Sequence, residues 1–129
     1  LGIIKTNVDS GQFTAVQDAG IEALLNIDPK FIPGMNDLYQ ARRDVLIDGL
    51  NSMGWNLEKT KATFYVWAPV PKGYDSMSFC AVMLEKCGII VVPGVGYGPA
   101  GEVYVRFALT IDESRIKEAL QRMKQHLAL

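Results

Sequence analysis

An arginine near the end of the chain is the residue best suited to binding chemistry. The alternation of apolar residues in Val103–Leu109 predicts a strand with Arg106 on the face opposite those residues. Arginine is rarely buried without a partner, and its planar fork can bind a carboxylate through two hydrogen bonds. Two interpretations stay open: a carboxylate site, and a half-exposed strand with Arg106 facing water, which the pattern alone favours.

The stretch before this strand contains the glycine pattern GxGxxG in Gly96–Gly101. A dinucleotide site needs a helix after these glycines, because the helix N-terminus binds the pyrophosphate. Here the next predicted element is a strand, and Pro99 interrupts the glycines. We therefore interpret this stretch as a flexible or tightly turned connection.

Aromatic residues of an earlier predicted strand are candidates for lining a pocket: Phe64, Tyr65, Trp67. Aromatic residues of a central strand more often fill the core. The strand is predicted over Ala62–Ala68, and its two apolar faces predict cover on both sides.

Other polar residues give weaker signals. Arg42 and Arg43 could pair with Asp44 or Asp48, but a solvated helix face is the simpler interpretation. The sequence has no nucleophile with a histidine base and no carboxylate pair at a clear catalytic spacing. His126, the only histidine, is predicted to be solvated or partly packed near the end of the last helix. Together with two separated cysteines it does not suggest a metal site.

The elements that position these residues follow from periodicity and capping signals. They predict two helices followed by strand, helix, strand, strand and helix, a small α+β structure with helices packed on a sheet. The predicted bounds are a helix from an Asp9–Gln12 cap to Leu25, a longer helix ending at Gly54, a strand at Ala62–Ala68, a helix from Asp75 or Ser76 to Gly88, strands at Ile89–Val92 and Val103–Leu109, and a helix after a Thr110–Glu113 capping box.

Bulk composition excludes several classes of protein. The chain has 129 residues, a formal net charge of −1 and 49% hydrophobic residues, which fits one compact domain, alone or with a segment of a neighbouring one. The mixed charge predicts no nucleic-acid or membrane partner. No signal peptide or membrane span is predicted, and Cys80 and Cys87, too separated to pair, fit a reducing cytoplasm.

Four stretches in order resemble the C-terminal portion of the fold-type-I pyridoxal-phosphate-dependent aminotransferases: Lys5–Phe13, Arg42–Leu50 with Gly54-Trp55, Lys61–Pro71, and Pro93–Thr110. The resemblance covers essentially the whole chain and is closest to the bacterial branch that includes LL-diaminopimelate aminotransferase. It implies the small C-terminal domain of that fold: a mixed sheet of about three strands with helices packed on it, preceded by long helices. Residues 1–30 would be the tail of the large domain and the connecting helix, and residues 31–129 the small domain.

The resemblance also implies roles for particular residues. Arg106 would bind the α-carboxylate of the substrate, and Phe64 would lie near the cofactor and substrate. Ser10, Gly11 and Gln12 would approach the active site of the partner subunit in a homodimer.

The family's Schiff-base lysine lies in a Ser-x-Ser-Lys stretch upstream of the region matched here, and no lysine of this chain sits in such a stretch. The resemblance thus implies part of a cytoplasmic enzyme that moves an amino group between an amino acid and a 2-oxo acid with pyridoxal phosphate, inactive as this chain alone. The alternative is a stand-alone, non-catalytic module for amino-acid binding or dimerisation. Val103 and Val105 stand where relatives often have Gly and Phe, which leaves the substrate open.

Overall fold

The computed structural model describes residues 1–8 and 11–127, which divide into two compact units, Leu1–Met35 and Asn36–Leu129. The division falls inside one helix, α3 (Phe31–Asn51). Within the described ranges, no helix has the length and apolar character needed to cross a membrane.

The first unit is helical and exposed. It contains α1 (Gly2–Val8), α2 (Thr14–Leu25) and the first residues of α3. None of the residues of α1 or α2 is buried. The exposed side chains of this unit include many large apolar ones: Ile3, Ile4, Val8, Phe13, Val16, Ile21, Leu24 and Leu25.

The start of α2 differs from the prediction, although its end at Leu25 is confirmed. The predicted cap, Asp9, lies outside the described residues. The helix begins only at Thr14, and its N-cap residue, Phe13, offers no side-chain hydrogen bond. Gln12 precedes the helix, and its carbonyl accepts a hydrogen bond of 2.7 Å from the side-chain amide of Gln17.

The second unit is an α+β structure with a three-stranded sheet, as predicted. After α3 its elements are β1 (Tyr65–Pro69), α4 (Ser76–Cys87), β2 (Val92–Pro93), β3 (Tyr104–Ala108) and α5 (Glu113–His126). The strand order is β1-β3-β2, so β3 is central. Both pairings are antiparallel, whereas a mixed sheet was predicted.

One face of this sheet packs into the hydrophobic core. Because side chains alternate along a strand, β1 and β3 each send every second residue to this face. These residues meet apolar side chains of three helices, and the buried set is Leu46, Ile47, Leu50, Val66, Ala68, Phe79, Met83, Cys87, Val91, Val105, Phe107, Leu109, Ile116, Leu120 and Met123.

All three predicted strands are shorter in the structure, and the third loses only one residue at each end. β1 begins at Tyr65 and not at Ala62, because Thr63 adopts a left-handed conformation with φ of 71° that interrupts an extended chain. The predicted buried strand Ile89–Val92 is wrong: only Val92 and Pro93 pair in the sheet, and Ile90 is 84% exposed.

Helix caps were predicted correctly for α4 but not for α5. The side chain of Asp75 accepts a hydrogen bond from the backbone N–H of Ser78, and Gly88 ends α4 in a left-handed conformation. The predicted capping box at Thr110 is wrong, because α5 begins at Glu113 with Asp112 as its N-cap residue. The side chain of Asp112 makes no capping hydrogen bond to the helix, and its carboxylate accepts a hydrogen bond from the guanidinium of Arg42.

The two adjacent arginines of α3 do not lie on a solvated helix face, which corrects the interpretation from sequence. Arg42 is 11% exposed, and its guanidinium donates to the carbonyl of Leu109 at 3.0 Å and to Asp112 at 2.9 Å. Arg43 donates to a loop carbonyl, that of Thr60, at 2.7 Å. Its hydrogen bond to Asp44 holds the pKa of that carboxyl below the ordinary value.

Candidate functional site

The second face of the sheet is open and carries Arg106 near its centre. In the strand register Arg106 lies opposite Trp67 of β1 and Val92 of β2. Directly opposed residues point to the same side of a sheet, so Arg106 shares this face with Trp67, which is 38% exposed. The described residues therefore cover only one face of β1, and the predicted cover on both sides is not present within them.

The guanidinium of Arg106 lies against two tyrosine rings. Its Cζ atom is 3.9 Å from the centroid of the Tyr65 ring and 4.8 Å from that of the Tyr97 ring. Tyr65 belongs to β1, while Tyr97 comes from the glycine-rich loop. A cation within about 6 Å of a ring centroid is attracted by the negative face of the ring.

The hydrogen-bonding capacity of Arg106 is left unused by the described residues. Its Nε atom is buried and has no hydrogen-bond partner among them. No carboxylate of the described residues forms an ion pair with it either. Arg122 also has an unpaired Nε, but its other nitrogens bind the Cys87 carbonyl and Glu118. Arg106 is thus a partly buried cation for which the described residues supply neither a hydrogen-bond acceptor at Nε nor an ion-pair partner.

Further aromatic rings extend this face in both directions from Arg106. The ring of Phe64 lies next to that of Tyr65 in a tilted arrangement, with 4.4 Å between ring centroids, and Phe64 is itself 39% exposed. On the other side Trp67 contacts Tyr97 edge-on at 5.6 Å and stacks on Tyr104 at 5.7 Å. Phe64, Tyr65 and Trp67 therefore line an open surface and do not fill the core.

The glycine-rich loop is a tightly turned connection, which is one of the two alternatives that the sequence left open. It forms two 3-10 turns, Gly94–Tyr97 and Pro99–Gly101. A Cβ atom at Gly94 would lie 2.1 Å from the backbone oxygen of Gly101, so the close approach of the two turns requires glycine. The buried hydroxyl of Ser76 accepts a hydrogen bond of 3.4 Å from the backbone of Val95. The loop that carries Tyr97 is therefore fixed by backbone packing.

The remaining predicted site residues belong to the first unit. Ser10 lies outside the described residues, and Gly11 and Gln12 are exposed. Their role near a partner subunit stays a prediction. Tyr97 was missed in the sequence, although its position between two glycines, shortly before the strand that carries Arg106, was a usable signal.

Two other features are of less chemical interest. A cleft of ≈ 440 Å³ near Trp55, Pro69, Lys72 and Tyr74 does not include Arg106. Among residues 1–8 and 11–127, no three His, Cys, Asp or Glu side chains cluster as metal ligands would.

Comparison with known proteins defines the class to which this fold and site belong. The chain matches the family "Aminotransferase class I and II" over residues 3–123 and belongs to it. This confirms the resemblance seen in the sequence.

Three relatives of known class show how similar this chain is to individual aminotransferases. The chain is 54% identical over 127 residues to the LL-diaminopimelate aminotransferase of Moorella thermoacetica, an alignment of 98% of this chain and 32% of that protein. It is 33% identical to the structure of an aminotransferase from Staphylococcus aureus, with a TM-score of 0.87 over 95% of this chain and 32% of the other. For the L,L-diaminopimelate aminotransferase of Chlamydomonas reinhardtii the values are 32% identity and a TM-score of 0.75, over 89% of this chain and 28% of that one. The chain thus spans about a third of the length of these proteins.

Proposed function

We propose that this chain is the C-terminal part of an aminotransferase that moves an amino group between an amino acid and a 2-oxo acid, and that Arg106 binds the substrate α-carboxylate. The observation that carries the proposal is the buried, unpaired Nε of Arg106 on an open sheet face. An unsatisfied buried donor costs about 1–3 kcal/mol, which a bound anion would offset. Family membership supports the reaction class.

A carboxylate suits the donors of Arg106. The guanidinium presents parallel N–H groups that match the two oxygens of a carboxylate. Such a pair fixes orientation as well as charge, and orientation matters because the reacting Cα–H bond must be aligned with the cofactor. Phe64, which precedes β1 and is 39% exposed, would contact the cofactor or the substrate side chain.

The chain fits the substrate's side of such a site better than the cofactor's side. Its orphaned donor suits a carboxylate, and the sequence contains no lysine in the family's anchoring stretch. When bound, pyridoxal phosphate would supply the electron sink for amino transfer. In this proposal its covalent anchor comes from outside these residues, so the chain alone would not be active.

The name of one relative suggests a substrate. Because the Moorella thermoacetica relative is named for LL-diaminopimelate, we propose a diamino dicarboxylic acid of that kind as amino donor. We also propose a homodimer in which Ser10, Gly11 and Gln12 approach the partner's active site. Residues 1–30 would belong to the large domain and connecting helix, and residues 31–129 to the small domain.

The test is the kinetics of the full-length enzyme with Arg106→Lys, which keeps the charge but loses the fork. We expect kcat/KM to fall by about 2–4 kcal/mol, or about 30- to 900-fold, with little change in cofactor binding. The matched control is Arg115→Lys, because Arg115 is 62% exposed and pairs only with Glu118 among the described residues. A fall of less than about threefold, even for Arg106→Ala, would assign Arg106 to a structural role.

The competing hypothesis is a non-catalytic module that binds an amino acid or mediates dimerisation. The exposed apolar side chains of the first unit are the observation in its favour, because such surfaces often mark interaction sites. Joining the chain to the upstream reading frame discriminates the two. A Ser-x-Ser-Lys stretch there, with amino-transfer activity, supports the enzyme, and its absence supports the module.

A further inference from the structure

We propose that Tyr65 and Tyr97 are positioning residues that hold the guanidinium of Arg106 ready for a carboxylate. This inference rests on the proposed function, in which Arg106 binds the substrate. It assigns a purpose to two tyrosines and to the glycine-rich loop.

The first argument concerns how an arginine can be ordered without losing its donors. An arginine side chain has many rotamers, and binding that must freeze them loses affinity. A protein carboxylate would order Arg106 but would occupy the N–H groups that the substrate needs. A ring contact uses the face of the guanidinium and leaves those N–H groups free. Tyr65 and Tyr97, at 3.9 Å and 4.8 Å from Cζ, provide two such contacts.

The second argument concerns the rigidity of the two rings. Tyr65 lies in a strand that is paired along its whole length with β3. Tyr97 lies in a loop fixed by the contact between Gly94 and Gly101, and its ring also meets Trp67. The backbone that carries each ring is thus held independently of Arg106.

The third argument explains the glycine pattern before β3. The spacing resembles a phosphate-binding loop, but the turns it forms lead into a strand. The glycines allow two turns to pack backbone to backbone, with Tyr97 at the end of the first turn. In this proposal the loop acts on the carboxylate site through the ring of Tyr97.

The experiment measures carboxylate binding to the 129-residue chain by ¹⁵N NMR. The reporter is the Nε–H resonance of Arg106, identified by its loss in Arg106→Lys, and the probe is L-glutamate. In the unmodified chain we expect an upfield ring-current shift of this resonance and a saturable change with glutamate. Tyr97→Leu and Tyr65→Leu should each reduce the ring-current shift and weaken binding about fivefold, the loss of one exposed cation–π contact. Tyr97→Phe and Tyr65→Phe keep the ring and should bind within about twofold of the unmodified chain.

The outcomes separate this inference from the proposed function. If glutamate moves the Arg106 resonance equally well in the leucine variants, the positioning role is overturned while Arg106 remains the carboxylate ligand. If glutamate moves it in no protein, carboxylate binding by this chain fails and the positioning role fails with it. Should Tyr65→Leu not fold, Tyr97 decides, because its side chain is 54% exposed in a loop. At position 97, replacing phenylalanine by pentafluorophenylalanine inverts the ring quadrupole at nearly constant shape. Equal glutamate affinity of these two variants would refute the proposal.

Discussion

Replacing Arg106 by methionine tests whether this arginine exists for stability or for a ligand. Methionine is long, flexible and apolar, so it can occupy the same space between the aromatic rings. The substitution loses two cation–π contacts, each of about 0.5–1 kcal/mol at exposed sites. It also removes a buried donor without a partner, a gain of about 1–3 kcal/mol. We therefore expect Arg106→Met to lie between about 1 kcal/mol less stable and about 2 kcal/mol more stable than the unmodified chain.

Arg42→Met is the matched comparison, because Arg42 is a partly buried arginine with protein partners. It would lose a charged hydrogen bond to the Leu109 carbonyl, worth about 1.5–3 kcal/mol. The bond to Asp112 adds less, about 0.5 kcal/mol, because that carboxylate is 82% exposed. We expect Arg42→Met to lower the free energy of unfolding by about 2–3.5 kcal/mol.

The assay is urea unfolding followed by tryptophan fluorescence. Both tryptophans, Trp55 and Trp67, lie in the second unit, so the signal reports on the unit that contains both arginines. Linear extrapolation gives the free energy of unfolding for each variant. If Arg106→Met destabilised the chain as much as Arg42→Met, Arg106 would be a structural residue, and the argument from its unpaired donor would be refuted.

Two further predictions concern the loop and the cap of α4. Gly94→Ala should lower the free energy of unfolding by at least about 1–3 kcal/mol in the same assay, because its Cβ would lie 2.1 Å from the Gly101 oxygen, and backbone cannot yield as a side chain can. The control is Gly96→Ala, whose Cβ would have nothing within 4 Å and which should change the free energy of unfolding by less than about 0.5 kcal/mol. Equal effects of the two substitutions would contradict the packing argument. Hydrogen bonds from Ser78 hold the pKa of Asp75 below its ordinary value, so their stabilisation is complete above that value and is lost as the pH falls through the folded pKa. Asp75→Asn, which can cap without titrating, should therefore lose less stability than the unmodified chain between about pH 5 and pH 2, and identical pH profiles would disprove this role.

Features that depend on neighbouring residues were readable from the sequence. The alternation in Val103–Leu109 placed Arg106 on the face opposite the core, because side chains in a strand alternate whatever else surrounds them. The cap at Asp75 and the glycine end of α4 at Gly88 were equally local, since each involves hydrogen bonds within one turn of the helix. Family membership was also readable, from four short stretches in order.

Features that depend on distant residues were decided only by the tertiary structure. Arg42 finds its partner carbonyl 67 residues away at Leu109, so no local pattern could show that its helix face is covered. The left-handed backbone of Thr63 shortens β1, although threonine by type favours strands. Tyr97 reaches Arg106 only because two turns of a loop pack backbone to backbone. Periodicity and capping reflect backbone geometry and hydrogen bonds between residues close in sequence. The partners of a side chain depend on which distant segments the fold brings together.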